Sequence, residues 1–160
     1  MGAKKPSLYL ISVLLFMLVL PVVSIAIECL AHSSVLGWPL IGKWFVFWAI
    51  GVRLFIAGIR QIAKPAFTAQ EIFHIKNEES FVIVKELGYA NICMGLVGIL
   101  SLHSAGWCQL AAVGGGLYFG LAGIQHVIKK PVSTNETIAL ISDLYIFVLM
   151  ALYLAFTLPL

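Results

Sequence analysis

The sequence predicts an all-α integral membrane bundle of five transmembrane helices with a short cytoplasmic interfacial helix. Three observations carry that prediction. Of the 160 residues, 61% are hydrophobic and only 11% are charged, with a mean hydropathy of +1.03; a soluble domain of this size could not cover so much apolar surface with so few charges. The apolar residues gather into five stretches, each near the roughly 20 residues a helix needs to cross the hydrocarbon core. None has the period-2 alternation of a barrel strand, and each is about twice a strand's spanning length. The spans fall at residues 8–30, 41–62, 81–102, 107–128 and 137–158, with an interfacial segment at 66–79. Residues 1–160 are therefore read as a single transmembrane domain, with no room for a separate soluble one.

The first span follows Lys4 and Lys5 and contains Ser24-Ile25-Ala26, which has the form of a secretory signal and its cleavage end. Its apolar run is longer than a signal core, so it reads as a membrane helix. Pro21 should bend it. The second span carries Gly51 and Gly58 beside Arg53 and Arg60. After it, Thr68-Ala69-Gln70-Glu71 has capping-box spacing and precedes Ile72, Phe73 and Ile75. That pattern suits a helix lying at the membrane surface, or a lid or partner-docking element over the bundle.

In the third span Gly88, Asn91, Gly95 and Gly98 fall within a sector of about 80° at 100° per residue. The fourth has a GxxxG step at Gly116 and Gly120, extended by Ala112 and Gly123. Small residues let helix backbones approach closely where lipid is as apolar as leucine. Spans two to five should thus pack tightly, with the first more peripheral. The same glycine-rich faces would also serve a homo-oligomer. Ser133 and Glu136 form a capping box for the fifth span, and Asn135-Glu136-Thr137 fits a glycosylation sequon.

Basic residues alternate between connections. Lys4 and Lys5 precede the first span, Arg60, Lys64, Lys76 and Lys85 surround the second connection, and Lys129 and Lys130 sit in the fourth. The third connection, Leu102-His103-Ser104-Ala105-Gly106, has none. The positive-inside rule places the N-terminus in the cytoplasm and the C-terminus outside, in a multi-pass protein of the cell's inner (plasma) membrane. The sequon then faces the cytoplasm, where it is idle. The net charge of +3 is topological signal, and no basic stripe interleaved with aromatics points to nucleic acid.

In these directions the intramembrane polar residues converge at one depth. Arg53 lies about 13 Å, Asp143 about 10 Å and Asn91 about 15 Å below the cytoplasmic boundary, with Glu86 and His126 shallower. Charges at that depth need partners. Arg53–Asp143 is the first pairing expected, with Glu86 competing for Arg53 or Arg60. Such a set is either a structural ion-pair network or a polar pocket, lined by Arg53, Glu86, Asn91, His126 and Asp143, that binds a small amphipathic ligand. Phe45, Val46 and Phe47 leave the outer half of the second span without the polar route a transporter would need.

A second group, Glu28, Cys29, His32, His103 and Cys108, would face outside. Its side chains suit zinc or copper, yet the spacing matches no established motif, and no metal site is assigned. A Cys29–Cys108 disulfide is the alternative on an oxidising face; Cys93 reads as packing. No nucleophile elbow, Ser-x-x-Lys, CxxC or HExxH is present, so no catalytic residue is assigned.

Lys85-Glu86-Leu87-Gly88-Tyr89-Ala90-Asn91, the segment ending Ala122-Gly123-Ile124-Gln125-His126, Asn135-Glu136 and Ile141-Ser142-Asp143 together carry a resemblance. The chain resembles small uncharacterised prokaryotic membrane proteins that are distantly similar to the DoxX-like four-helix proteins. The resemblance covers about residues 52–154 and departs from the DoxX-like pattern by an extra N-terminal helix. It implies a quinone as a candidate ligand and transfers no catalytic residue. The expected function is an accessory membrane protein that binds a quinone or lipid in the cytoplasmic half. The alternatives are a quinone-linked redox subunit, a small-solute or proton-coupled transporter, and a structural subunit of a membrane complex.

Overall fold

The computed structural model describes residues 7–158; Lys4 and Lys5 lie outside the described residues. Five helices are long and apolar enough to cross a membrane: α1 (Leu8–His32), α2 (Trp38–Ala63), α4 (Ser80–His103), α5 (Ala105–Lys129) and α6 (Thr134–Thr157). A short, wide-turned helix, α3 (Phe67–Ile72), lies in the long connection between α2 and α4. The long helices overrun the hydropathy windows because polar residues and prolines start them. Pro39 occupies the first turn of α2, where its missing N–H costs nothing. Ser133 caps α6 by accepting from the Glu136 amide (3.2 Å), while Glu136 accepts from the amides of Val132 (2.7 Å) and Ser133 (3.2 Å). That is the expected capping box.

The box expected at Thr68 and Glu71 does not form. Helix α3 begins at Phe67, so Thr68 lies inside it, and no side chain caps its start. Its end is set instead by His74 in the left-handed region (φ 56°). The Phe73 amide donates to the Thr68 carbonyl (3.0 Å), and the Ile75 amide donates to that of Ala69 (2.8 Å). In α1 the turns widen over Leu15–Val19, immediately before Pro21. A proline ring clashes with the carbonyl four residues back, here Met17, and widened turns relieve that clash.

Glycine decides which helices touch. Helices α2 and α4 cross backbone to backbone, Gly51 against Gly98 and Gly58 against Gly88. A Cβ on Gly95 would stand 2.5 Å from the Phe55 nitrogen. On α5, Gly116, Gly120 and Gly123 seat Met150, Phe147 and Leu144 of α6, and Gly115 seats Ile50 of α2. The glycine faces expected to serve either packing or a homo-oligomer thus meet partners within the chain. Helix α1 is the least buried of the five. It is tied to α2 at one end: Glu28 pairs with Lys43 (2.7 Å) and accepts from the Trp44 indole (2.8 Å), and the Trp48 indole donates to Ser24 (2.9 Å). Its other half packs on α6 rather than on α2. The result is a wedge between α1 and α2 at the end of the bundle that α3 crosses.

Candidate functional site: a polar cavity beneath α3

The wedge is a cavity of about 170 Å³. All five long helices and α3 contribute to its wall. Of the five residues expected to gather by depth, Arg53, Asn91, His126 and Asp143 line it. Glu86 does not; it is exposed on another face of α4 and joins no ion pair among the described residues. Phe67, Thr68 and Ile72 of α3 and the following Phe73 face the cavity, while Gln70 and Glu71 are exposed. The short helix therefore covers the cavity with its apolar face. His74 Nε2 stands 3.3 Å from Glu136 Oε2, which ties this cover to the cap of α6.

The expected Arg53–Asp143 ion pair does not form. Among the described residues the ion pairs within 4.0 Å are Lys43–Glu28 and His74–Glu136. Arg53 rests its guanidinium 5.5 Å from the Phe119 ring centroid, and Arg60 stands 5.2 Å from that of Phe67. Both arginines are seven residues apart on one face of α2, and both line the cavity. Ring contacts of this kind contribute about 0.5–2 kcal/mol and leave the N–H forks available to an acceptor.

Across the cavity, Asp143 is 7% exposed and joins no ion pair within 4.0 Å among the described residues. Asn91 is 2% exposed. Its amide nitrogen donates to Gln61 Oε1 (2.8 Å), while its oxygen has no partner. The wall thus carries cations on one helix, and on two others an unmet amide oxygen and a carboxyl group outside any ion pair. It can hold a molecule that offers both an acceptor and a donor.

Depth alone missed Tyr9, Ser12 and Phe16 of α1, Gln61 of α2, and Tyr118 and Phe119 of α5, all of which line the cavity. A signal was available for the first three: residues 9, 12 and 16 are spaced i, i+3, i+7 and share one face, and two carry hydroxyls in the strongly apolar first half of the helix.

The second cluster does not assemble. Glu28 is held by Lys43 and Trp44, Cys29 and Cys108 are free, and the described residues include no group of three or more His, Cys, Asp or Glu able to hold a metal ion. Beyond the cavity, at the middle of the bundle, the core is apolar, with Val46, Ala49, Ile50, Ile146 and Met150 buried.

Residues 11–158 match the model of a family described as a family of unknown function, DUF6790, and the chain belongs to that family. No curated protein and no solved structure matches it.

Proposed function

We propose that this member of the DUF6790 family is an integral inner-membrane protein that binds a small amphipathic ligand in the cavity beneath α3. Its N-terminus faces the cytoplasm and its C-terminus the outside, so the cavity occupies the cytoplasmic half. The observation that supports this reading best is the unpaired charge on the wall. Arg53 and Asp143 line one cavity without meeting. A charge at membrane depth costs a few kcal/mol on insertion scales, and a purely structural network would bring the two into contact. Membrane quinones and lipids are the amphiphiles at hand, the quinone being also what the DoxX-like resemblance suggests. Ile56 lines the cavity and is exposed on the flank of α2, which favours a ligand entering from the bilayer. The apolar packing of Val46, Ile50, Ile146 and Met150 beyond the cavity favours binding over transport.

The test is native mass spectrometry of gently solubilised protein, wild type against the double variant Arg53→Ala/Asp143→Ala. The wild type should carry a small molecule that the variant lacks, with Glu86→Gln retaining it. A bare wild type, together with a less stable double variant, would make the residues a structural clamp.

A further inference from the structure

We infer that the ligand is an amphiphile whose head group combines an anion, phosphate or carboxylate, with a hydrogen-bond donor, ammonium or hydroxyl. This rests on the reading of the cavity as a ligand site and goes further by naming the chemistry the wall selects.

The cationic side calls for the anion. Arg53 and Arg60 share a face of α2, line the cavity and have no carboxylate within 4.0 Å among the described residues. Each guanidinium lies against an aromatic ring. A guanidinium held in this way presents a planar fork of donors matched to the oxygens of a phosphate or carboxylate.

The opposite side calls for the donor. Asp143 and Asn91 are buried; the Asn91 oxygen has no donor, and Asp143 joins no ion pair within 4.0 Å among the described residues. An unmet buried acceptor costs about 1–3 kcal/mol, and more when it is charged. A quinone would accept from the arginines but would set acceptor against acceptor at the Asn91 oxygen. A head group bearing only an anion would leave the same side unmet and add repulsion. With two cations and one anion on the wall, a head group of zero or single negative charge fits best. The tail has its own surface in Phe16, Leu54 and Ile56, and Ile56 reaches the outside of the bundle.

The full-length protein in a neutral maltoside detergent can be titrated with three probes of one chain length. Dodecylphosphoethanolamine carries the anion and an ammonium donor. Dodecylphosphocholine carries the anion but no N–H, and monododecanoylglycerol carries hydroxyls but no anion. The first should bind at least about tenfold tighter than either of the others, as a charge-assisted hydrogen bond warrants. Arg53→Gln should remove its advantage over the glycerol probe, and Asp143→Asn its advantage over the choline probe. The wild-type ranking decides the matter even where a variant fails to fold.

If all three bind within about threefold of one another, the head-group class is wrong while the cavity remains a ligand site. If none binds, the ligand site itself is wrong and the inference falls with it. Soluble phosphoethanolamine serves as the fourth probe. Binding as tight as that of its dodecyl ester supports the head-group chemistry and assigns it to a soluble molecule; binding weaker by about tenfold or more assigns it to a lipid.

Discussion

Gly58→Leu should destroy the folded bundle, giving aggregated protein on size exclusion and no cooperative thermal transition in detergent. A Cβ at position 58 would stand 2.5 Å from the Gly88 carbonyl oxygen and 2.9 Å from the Ile92 nitrogen. Both are backbone atoms, so no side-chain rotation relieves the collision. The helices would have to separate along the crossing that Gly51, Gly95 and Gly98 also form. Overpacking ordinarily costs 1–3 kcal/mol; alanine at this position should cost about 3 kcal/mol, and leucine more than a marginally stable fold retains. Gly114→Ala is the matched control. Nothing lies within 4 Å of its Cβ position, and helix propensity favours alanine there by up to about 1 kcal/mol. A folded Gly58→Leu protein would show that α2 and α4 do not cross at this glycine.

Asp143→Asn should raise the thermal stability of the delipidated protein, by about 1–2 kcal/mol, the size of gain common when a functional site is relaxed. The reason is that Asp143 lies buried with no cation within 4.0 Å among the described residues. Replacing it by a neutral amide removes a desolvated acid and breaks no ion pair. Were Asp143 half of a buried ion pair with Arg53, the same change would orphan the arginine and cost about 3–5 kcal/mol. The sign of the shift, read from melting curves before and after delipidation, separates the two. Ligand retention should move the opposite way, with the more stable variant binding less.

How much of this could be read from the sequence differs from residue to residue. The five long helices were legible because length and hydropathy alone mark a helix able to cross a membrane. The Ser133–Glu136 box was legible because it is local. Depth arithmetic brought Arg53, Asn91, His126 and Asp143 to one level, and they share one cavity. It misplaced Glu86 because depth ignores direction. At 100° per residue, Glu86 points about 140° away from Asn91, whereas Leu87, about 40° away, lines the cavity. Equal depth also says nothing of lateral distance, which is why Arg53 and Asp143 do not meet. The placement of α1 was beyond sequence reasoning: it depends on Glu28 reaching Lys43 and Trp44 across the α1–α2 turn. The wedge that makes the cavity depends on the same contacts.

The cavity as a ligand site is tested most directly by an experimental density map of the protein in lipid nanodiscs prepared without stripping native lipids. Continuous non-protein density beneath Phe67 and Phe73, reaching both Arg53 and Asp143, is the expected result. A collapsed cavity in which Arg53 and Asp143 bond directly to each other would contradict it.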